Sequence, residues 1–163
     1  MNLSLNDLSE RVRKLELLNE NLGYRISRLS KLVEVEAVMR LQSVGVSLYE
    51  FRIIIILGIF EEATARDLSE LMVIDKGQIS RVVSQLVRRG YIRSRQDAEN
   101  RLFKLLSLTP EGMKVHGKLE VLFEDRNRAF VANVSQDDME TFQRVLAQLS
   151  ETVEQRLKTE RAR

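Results

Sequence analysis

Cysteine is absent from the 163 residues, and proline and histidine occur once each, as Pro110 and His116. Without thiols there is no disulfide, no thiolate metal site and no cysteine redox switch. The lone histidine sits near Lys114 and Lys118, with no carboxylates at ligand spacing, so neither a metal centre nor a catalytic constellation is legible. His116 is expected at the surface or on a dimer face, and the chain reads as a non-enzyme without cofactor or metal. Long hydrophobic runs are missing too. The longest, 53–60, contains Gly58 and is too short to span a bilayer. The polar stretch 6–14 is neither a secretory signal nor a membrane anchor, so the expected location is cytoplasmic.

What remains is rich in Leu, Glu, Arg and Val with seven glycines, a helical composition. The length fits one domain, or one lobe with a second built from the chain ends. Net charge is only +2, but it is unevenly placed. Segment 76–104 carries eight basic residues (Lys76, Arg81, Arg88, Arg89, Arg93, Arg95, Arg101, Lys104) against Asp97 and Glu99. That is +6 locally and −4 elsewhere. A basic stripe on a near-neutral body points to a polyanion bound at one face.

Apolar spacing predicts one long amphipathic helix over 5–42. Leu8, Leu15, Leu22 and Leu29 recur every seven residues, with Val12, Asn19, Ile26 and Val33 between them. This is a coiled-coil-like seam with one polar interruption, and a helix so long has no room to bury it in a small lobe. A second chain is its expected partner. On the last helix Phe142, Leu146, Leu149, Val153 and Leu157 form a stripe expected to pack with Leu8, Val12, Leu15 and Leu22 in a homodimer.

Helix starts are marked by an oxygen-bearing residue followed three positions later by an acid or amide: Ser47/Glu50, Thr64/Asp67, Asp75/Gln78 and Ser135/Asp138. Thr109 before Pro110 marks a fifth. Helices are therefore predicted at 48–61, 65–72, 76–89, 110–133 and 136–160. The pair 65–72 and 76–89, joined by a short turn and closed at Gly90, fits a helix-turn-helix. Two strand-like runs, 91–96 and 102–108, flank a charged tip and predict a hairpin wing. The expected fold is mainly α with a small β-hairpin wing, a winged helix-turn-helix with long terminal dimerisation helices. Its divisions are 1–47 (N-terminal dimerisation helix), 48–108 (DNA-binding lobe) and 109–163 (C-terminal dimerisation helices).

At 100° per residue, Ile79, Val82, Val83 and Leu86 share the core side of the predicted 76–89 helix. Gln78, Arg81, Ser84, Gln85 and Arg88 share the opposite arc, with Gly77 beside them. Arginine pairs bidentately with guanine and glutamine with adenine, and Gly77, Ser80 and Ser84 leave room for close approach to a groove. No acid interrupts this face, whereas solvated helix faces usually mix Glu with Lys. Double-stranded DNA is the expected partner, met by Lys76, Gly77, Gln78, Ser80, Arg81, Ser84, Gln85 and Arg88. Arg95, Arg101 and Lys104 of the hairpin are expected to join them. The competing reading, a winged-helix module that binds protein instead, is disfavoured by the same acid-free face.

Residues 75–83 (DKGQISRVV) and 86–92 (LVRRGYI) resemble the recognition helix of the MarR (multiple antibiotic resistance regulator) family. Residues 97–101 (DAENR) resemble its wing and 108–112 (LTPEG) the start of its next helix, while 22–25 (LGYR) and 50–52 (EFR) fit its first two helices. The resemblance spans about residues 20–155. It implies a homodimer with interleaved terminal helices, two wings straddling the duplex, and repression relieved by a small, often aromatic or phenolic, ligand between the lobes. Tyr24, Phe51, Phe60 and Phe123 are the candidate effector-lining residues. Two positions depart from the family pattern. Asn100 and Leu102 stand where the family usually has Asp and an Arg that enters the minor groove, leaving Arg101 as the nearest substitute. Gln78 stands in place of a small hydroxyl residue.

Overall fold

A computed structural model describes residues 5–96 and 104–161, with side chains over 10–96 and 104–160. The described chain runs α1 (Leu5–Glu20), α2 (Leu22–Leu41), α3 (Leu48–Phe60), β1 (Glu62–Thr64), α4 (Ala65–Met72) and α5 (Lys76–Arg88). It continues through β2 (Ile92–Gln96), β3 (Lys104–Leu108), α6 (Pro110–Val131) and α7 (Gln136–Arg161). Two compact units divide it, Met1–Glu120 and Val121–Arg163. No described helix is long and apolar enough to cross a membrane.

Capping chemistry sets most of these boundaries. Ser47 and Glu50 form a reciprocal capping box at the start of α3, and Thr64 and Asp67 form another at α4. The Asp75 carboxylate accepts the Gln78 N–H at 2.9 Å, and Thr109 Oγ1 accepts that of Gly112 at 3.0 Å. At α7, Ser135 Oγ accepts the Asp138 N–H at 3.1 Å. The predicted single helix over 5–42 is instead two. Asn21 takes an extended backbone (φ −76°, ψ 110°), and its side chain accepts the Tyr24 N–H, capping α2 and ending α1. An amide side chain that can satisfy the backbone locally outweighs the heptad periodicity running through it.

The first unit is centred on α3, which is apolar almost throughout and buries Ile53, Ile54 and Leu57. Ala37 and Leu41 of α2, Leu68 of α4, Ile79, Val82 and Leu86 of α5, and Val115 and Leu119 of α6 complete the core. A Cβ added to Gly58 would lie 2.0 Å from His116 Nε2, so glycine at this position lets α6 approach α3. His116 is therefore buried rather than at a surface, with Nδ1 3.3 Å from Glu120.

A three-stranded antiparallel sheet in the order β1-β3-β2 closes the unit. The hairpin pairs Ile92 with Leu108 and Gln96 with Lys104, while β1 adds Glu62 opposite Ser107 and Thr64 opposite Leu105. Only the hairpin was expected. A three-residue strand has no periodicity to read, and β1 exists because β3 offers it an edge. The hairpin tip, 97–103, with Arg101 and Leu102, lies outside the described residues.

The turn between α4 and α5 contains a conformational conflict. Val73 holds a left-handed backbone (φ 54°, ψ 45°). A β-branched residue pays steric strain there that glycine escapes. Val73→Gly should stabilise the protein by about 1 kcal/mol despite glycine's greater chain entropy. A urea titration should show a higher midpoint at unchanged m; a lower midpoint would mean that Val73 is not strained.

Candidate nucleic-acid interface

The α5 helix is held by one face and open on the other. Ile79, Val82 and Leu86 are buried, Val83 is half-buried, and Lys76, Gly77, Ser80, Arg81, Ser84, Gln85 and Arg88 are exposed. Gln78 is half-buried beside its cap. Between the open face and the hairpin runs a groove of about 840 Å³. From α5 it is lined by Ser80, Arg81, Ser84, Gln85 and Arg88 together with Val87 and with Val83, which was expected on the core side; Ser94, Lys104 and Leu106 face them from the strands. Lys76, Gly77 and Gln78 lie at the N-terminal end of α5, outside this lining.

The basic side chains divide into two sets. Arg52, Arg66, Arg89 and Arg95 are ion-paired to Glu34, Glu70, Glu50 and Glu62. Lys76, Arg81, Arg88 and Lys104 have no carboxylate partner among the described residues. Arg81 Nε makes only a long contact to the Gly77 carbonyl, 3.4 Å, and the Ser84 hydroxyl donates to the Ser80 carbonyl at 2.8 Å. Uncompensated cations beside small hydroxyl residues form a surface that attracts an anion and lets it come close.

Of the expected contact residues, the groove unites Ser80, Arg81, Ser84, Gln85, Arg88 and Lys104. Arg95 lies elsewhere. It reaches Glu62 through two nitrogens, at 3.0 and 2.5 Å. Ser94, which was not singled out from the sequence, takes the groove position. The signal for it was present: Ile92 is buried, and a strand period of two puts Ser94 on its side and Arg93 and Arg95 on the other.

An ion pair between buried Glu50 and Arg89 positions α5 at its far end. Glu50 Oε1 accepts Arg89 Nη1 at 2.9 Å, while Oε2 accepts the Ser47 N–H at 2.8 Å. Arg89 Nη2 also donates to the Gly45 carbonyl at 2.9 Å and to the Tyr91 hydroxyl at 3.2 Å, and the guanidinium lies 4.6 Å over the Tyr91 ring. Burial pulls the Arg89 pKa down, but hydrogen bonds to Glu50 and Tyr91 outweigh it and the net shift is upward. Arg89 therefore stays charged at every physiological pH.

The effector candidates differ in burial. Tyr24 and Phe60 are exposed, Phe51 is half-buried on α3, and Phe123 is buried in the second unit with Arg126 stacked 4.4 Å from its ring. None of them lines the groove or the smaller recess of about 430 Å³ beside Glu50 and Arg89. Along the dimer stripes Val12, Leu15, Leu22, Phe142, Leu146, Val153 and Leu157 are exposed and Leu149 is half-buried. The Leu8 side chain lies outside the described residues.

Helix-turn-helix, flanking hairpin and open cationic groove together define a winged helix-turn-helix protein. Residues 44–101 match the model of the MarR family. The chain is 26% identical over 117 residues to the HTH-type transcriptional regulator BilQ of Clostridium symbiosum (strain WAL-14163), covering 72% of this chain and 81% of that one. A MarR family transcriptional regulator from Silicibacter pomeroyi DSS superposes with a TM-score of 0.75 at 27% identity, covering 83% of this chain and 90% of the other. The MepR protein of S. aureus, solved in complex with DNA, shares the fold at a TM-score of 0.76 and 17% identity, covering 82% and 96%. In this lobe the chain is thus similar to transcriptional regulators of the MarR family.

The Glu50–Arg89 pair makes a direct stability prediction. Glu50→Ala removes a charged hydrogen bond and a helix cap together and should cost about 2–3 kcal/mol. Glu50→Gln keeps an acceptor for the Ser47 N–H and should cost less. Equal losses in chemical denaturation would show that the ion pair contributes nothing beyond the cap.

Proposed function

We propose that this regulator is a homodimer that reads an inverted-repeat operator with α5, represses from it, and leaves it on binding a small, aromatic-type effector. The observation that carries the reading is the open face of α5, which exposes Arg81, Ser84, Gln85 and Arg88 behind half-buried Gln78 without one acid. That MepR, with the same fold, binds DNA supports it. Lys76, Gly77, Gln78, Ser80 and Arg81, in the first turns, are assigned to base edges, and Ser84, Gln85 and Arg88 to the groove wall and backbone. Lys104, Arg101 and Arg95 are assigned to phosphate from the hairpin; Arg95 would first have to leave Glu62.

Residues 1–47 and 109–163 would carry dimerisation around the 48–108 lobe, through Leu8, Val12, Leu15 and Leu22 and through Phe142, Leu146, Leu149, Val153 and Leu157. The support is their exposure: of the described α7 side chains none is buried. The effector roles of Tyr24, Phe51, Phe60 and Phe123 rest on residue type alone. A cytoplasmic protein without catalytic activity completes the proposal.

Selection from random DNA pools should return an imperfect inverted repeat with half-site centres ~10 bp apart, because a two-fold dimer presents two identical reading helices. Arg81→Ala should cost ~1–3 kcal/mol on the selected site and relax its sequence preference. Arg88→Ala should weaken all sequences alike and reduce the salt slope by ~1. A single asymmetric half-site in the footprint would overturn the dimeric reading. Equal losses for both variants on specific and random DNA would overturn the division of roles.

A further inference from the structure

The α1 helix carries more information than an exposed apolar stripe. In heptad register Leu5, Val12 and Asn19 occupy the a positions, and Leu8 and Leu15 the d positions. A β-branched residue at a, as at Val12, with leucine at d suits two parallel strands, and a single asparagine at a fixes register and strand number. Val12 and Leu15 are 49% and 58% exposed, so this edge has no cover in the protomer. Glu10 and Lys14 pair with each other, at 2.7 Å, away from it. Flanking charge selects the orientation. Arg11 falls at g and Glu16 at e, and in a parallel pair the g residue of one strand meets the following e residue of the other. Arg11 would then face Glu16 twice, once on each side. An antiparallel pair sets g against g and loses both contacts. The bend at Asn21 frees α1 from the course of α2.

We propose that α1 pairs in parallel with α1 of a second copy as a short two-stranded coiled coil, Asn19 facing its counterpart across the two-fold axis. This rests on the homodimer proposed above and assigns the α1 seam to α1 of the second copy, in place of the last-helix stripe expected from the sequence.

The absence of cysteine makes the test clean, since each introduced thiol reports on one contact. Facing a positions bring backbones within disulfide reach, which requires Cα atoms roughly 4.4–6.8 Å apart. Val12→Cys and Asn19→Cys in the full-length protein should form covalent dimers under mild oxidation. Leu17→Cys, at the outward f position yet equally apolar in the parent, should link about tenfold more slowly, because its thiols lie beyond that span. Sedimentation of the same reduced variants runs alongside. A dimer in which Leu17→Cys links as fast as Asn19→Cys, or in which neither a position links, overturns the parallel pair and leaves the dimer standing. A monomer overturns both. Asn19→Ile provides a second arm: it should raise the melting temperature and admit higher oligomers. Unchanged melting and mass would show that Asn19 does not face its counterpart.

Discussion

Glu50 and Arg89 hold together four pieces of chain at one point. The turn after α2 contributes the Gly45 carbonyl, the first turn of α3 contributes Glu50 and the Ser47 N–H, α5 ends at Arg89, and β2 is led in by Tyr91. Lysine would not substitute, because three acceptors in different directions need the guanidinium fork. With Asp75 capping the other end of α5 and Ile79, Val82 and Leu86 filling the core between, the helix is fixed along its length. Its opposite face is left exposed, and that rigidity is what a reading surface requires.

The hairpin contributes differently to the two sides of the sheet. Alternation along β2 directs Ser94 into the groove and sends Arg93 and Arg95 to the side of Ser107 and Glu62. Much of the local positive charge counted along the sequence is thus spent within the fold: Arg89 and Arg95 are neutralised by carboxylates that lie far away in sequence. The field at the groove comes from Arg81, Arg88 and Lys104 with Lys76 at the helix start. A smaller set of uncompensated cations is more directional than the stripe suggested, since it borders one groove.

Signals that act over three or four residues were legible in the sequence. The five capping pairs place the helix starts within a residue of those found, and Gly90 does take the left-handed backbone expected of it (φ 73°). Signals that depend on distant partners were not. Strand β1 is created by β3, the burial of His116 depends on a glycine on α3, and the partner of Arg95 sits on another strand. The break at Asn21 is a different case, because two local rules conflict there. Heptad spacing runs unbroken from Leu8 to Leu29, yet Asn21 is a strong cap residue with Gly23 following. Periodicity reports which face a partner covers; capping reports where the backbone stops, and both hold at once.

Energetics connects the chain ends to the groove. An isolated helix is limited by nucleation and draws most of its stability from burying a stripe. Phe142, Leu146, Val153 and Leu157 of α7 are all exposed in the protomer. A homodimer covers eight such side chains, four from each protomer, and since each is about half exposed already their burial yields roughly 6–12 kcal/mol. Association costs on the order of 4–15 kcal/mol in lost translational and rotational freedom. The α7 stripe alone is therefore near break-even, and a stable dimer needs the apolar seam of α1 and α2 as well. Pairing the chain ends and completing their helices then become one concentration-dependent step. In the proposed dimer the distance between two α5 helices would be set in that same step, so its half-site spacing would depend on formed terminal helices. Any ligand that loosens those helices would change DNA affinity without touching the groove.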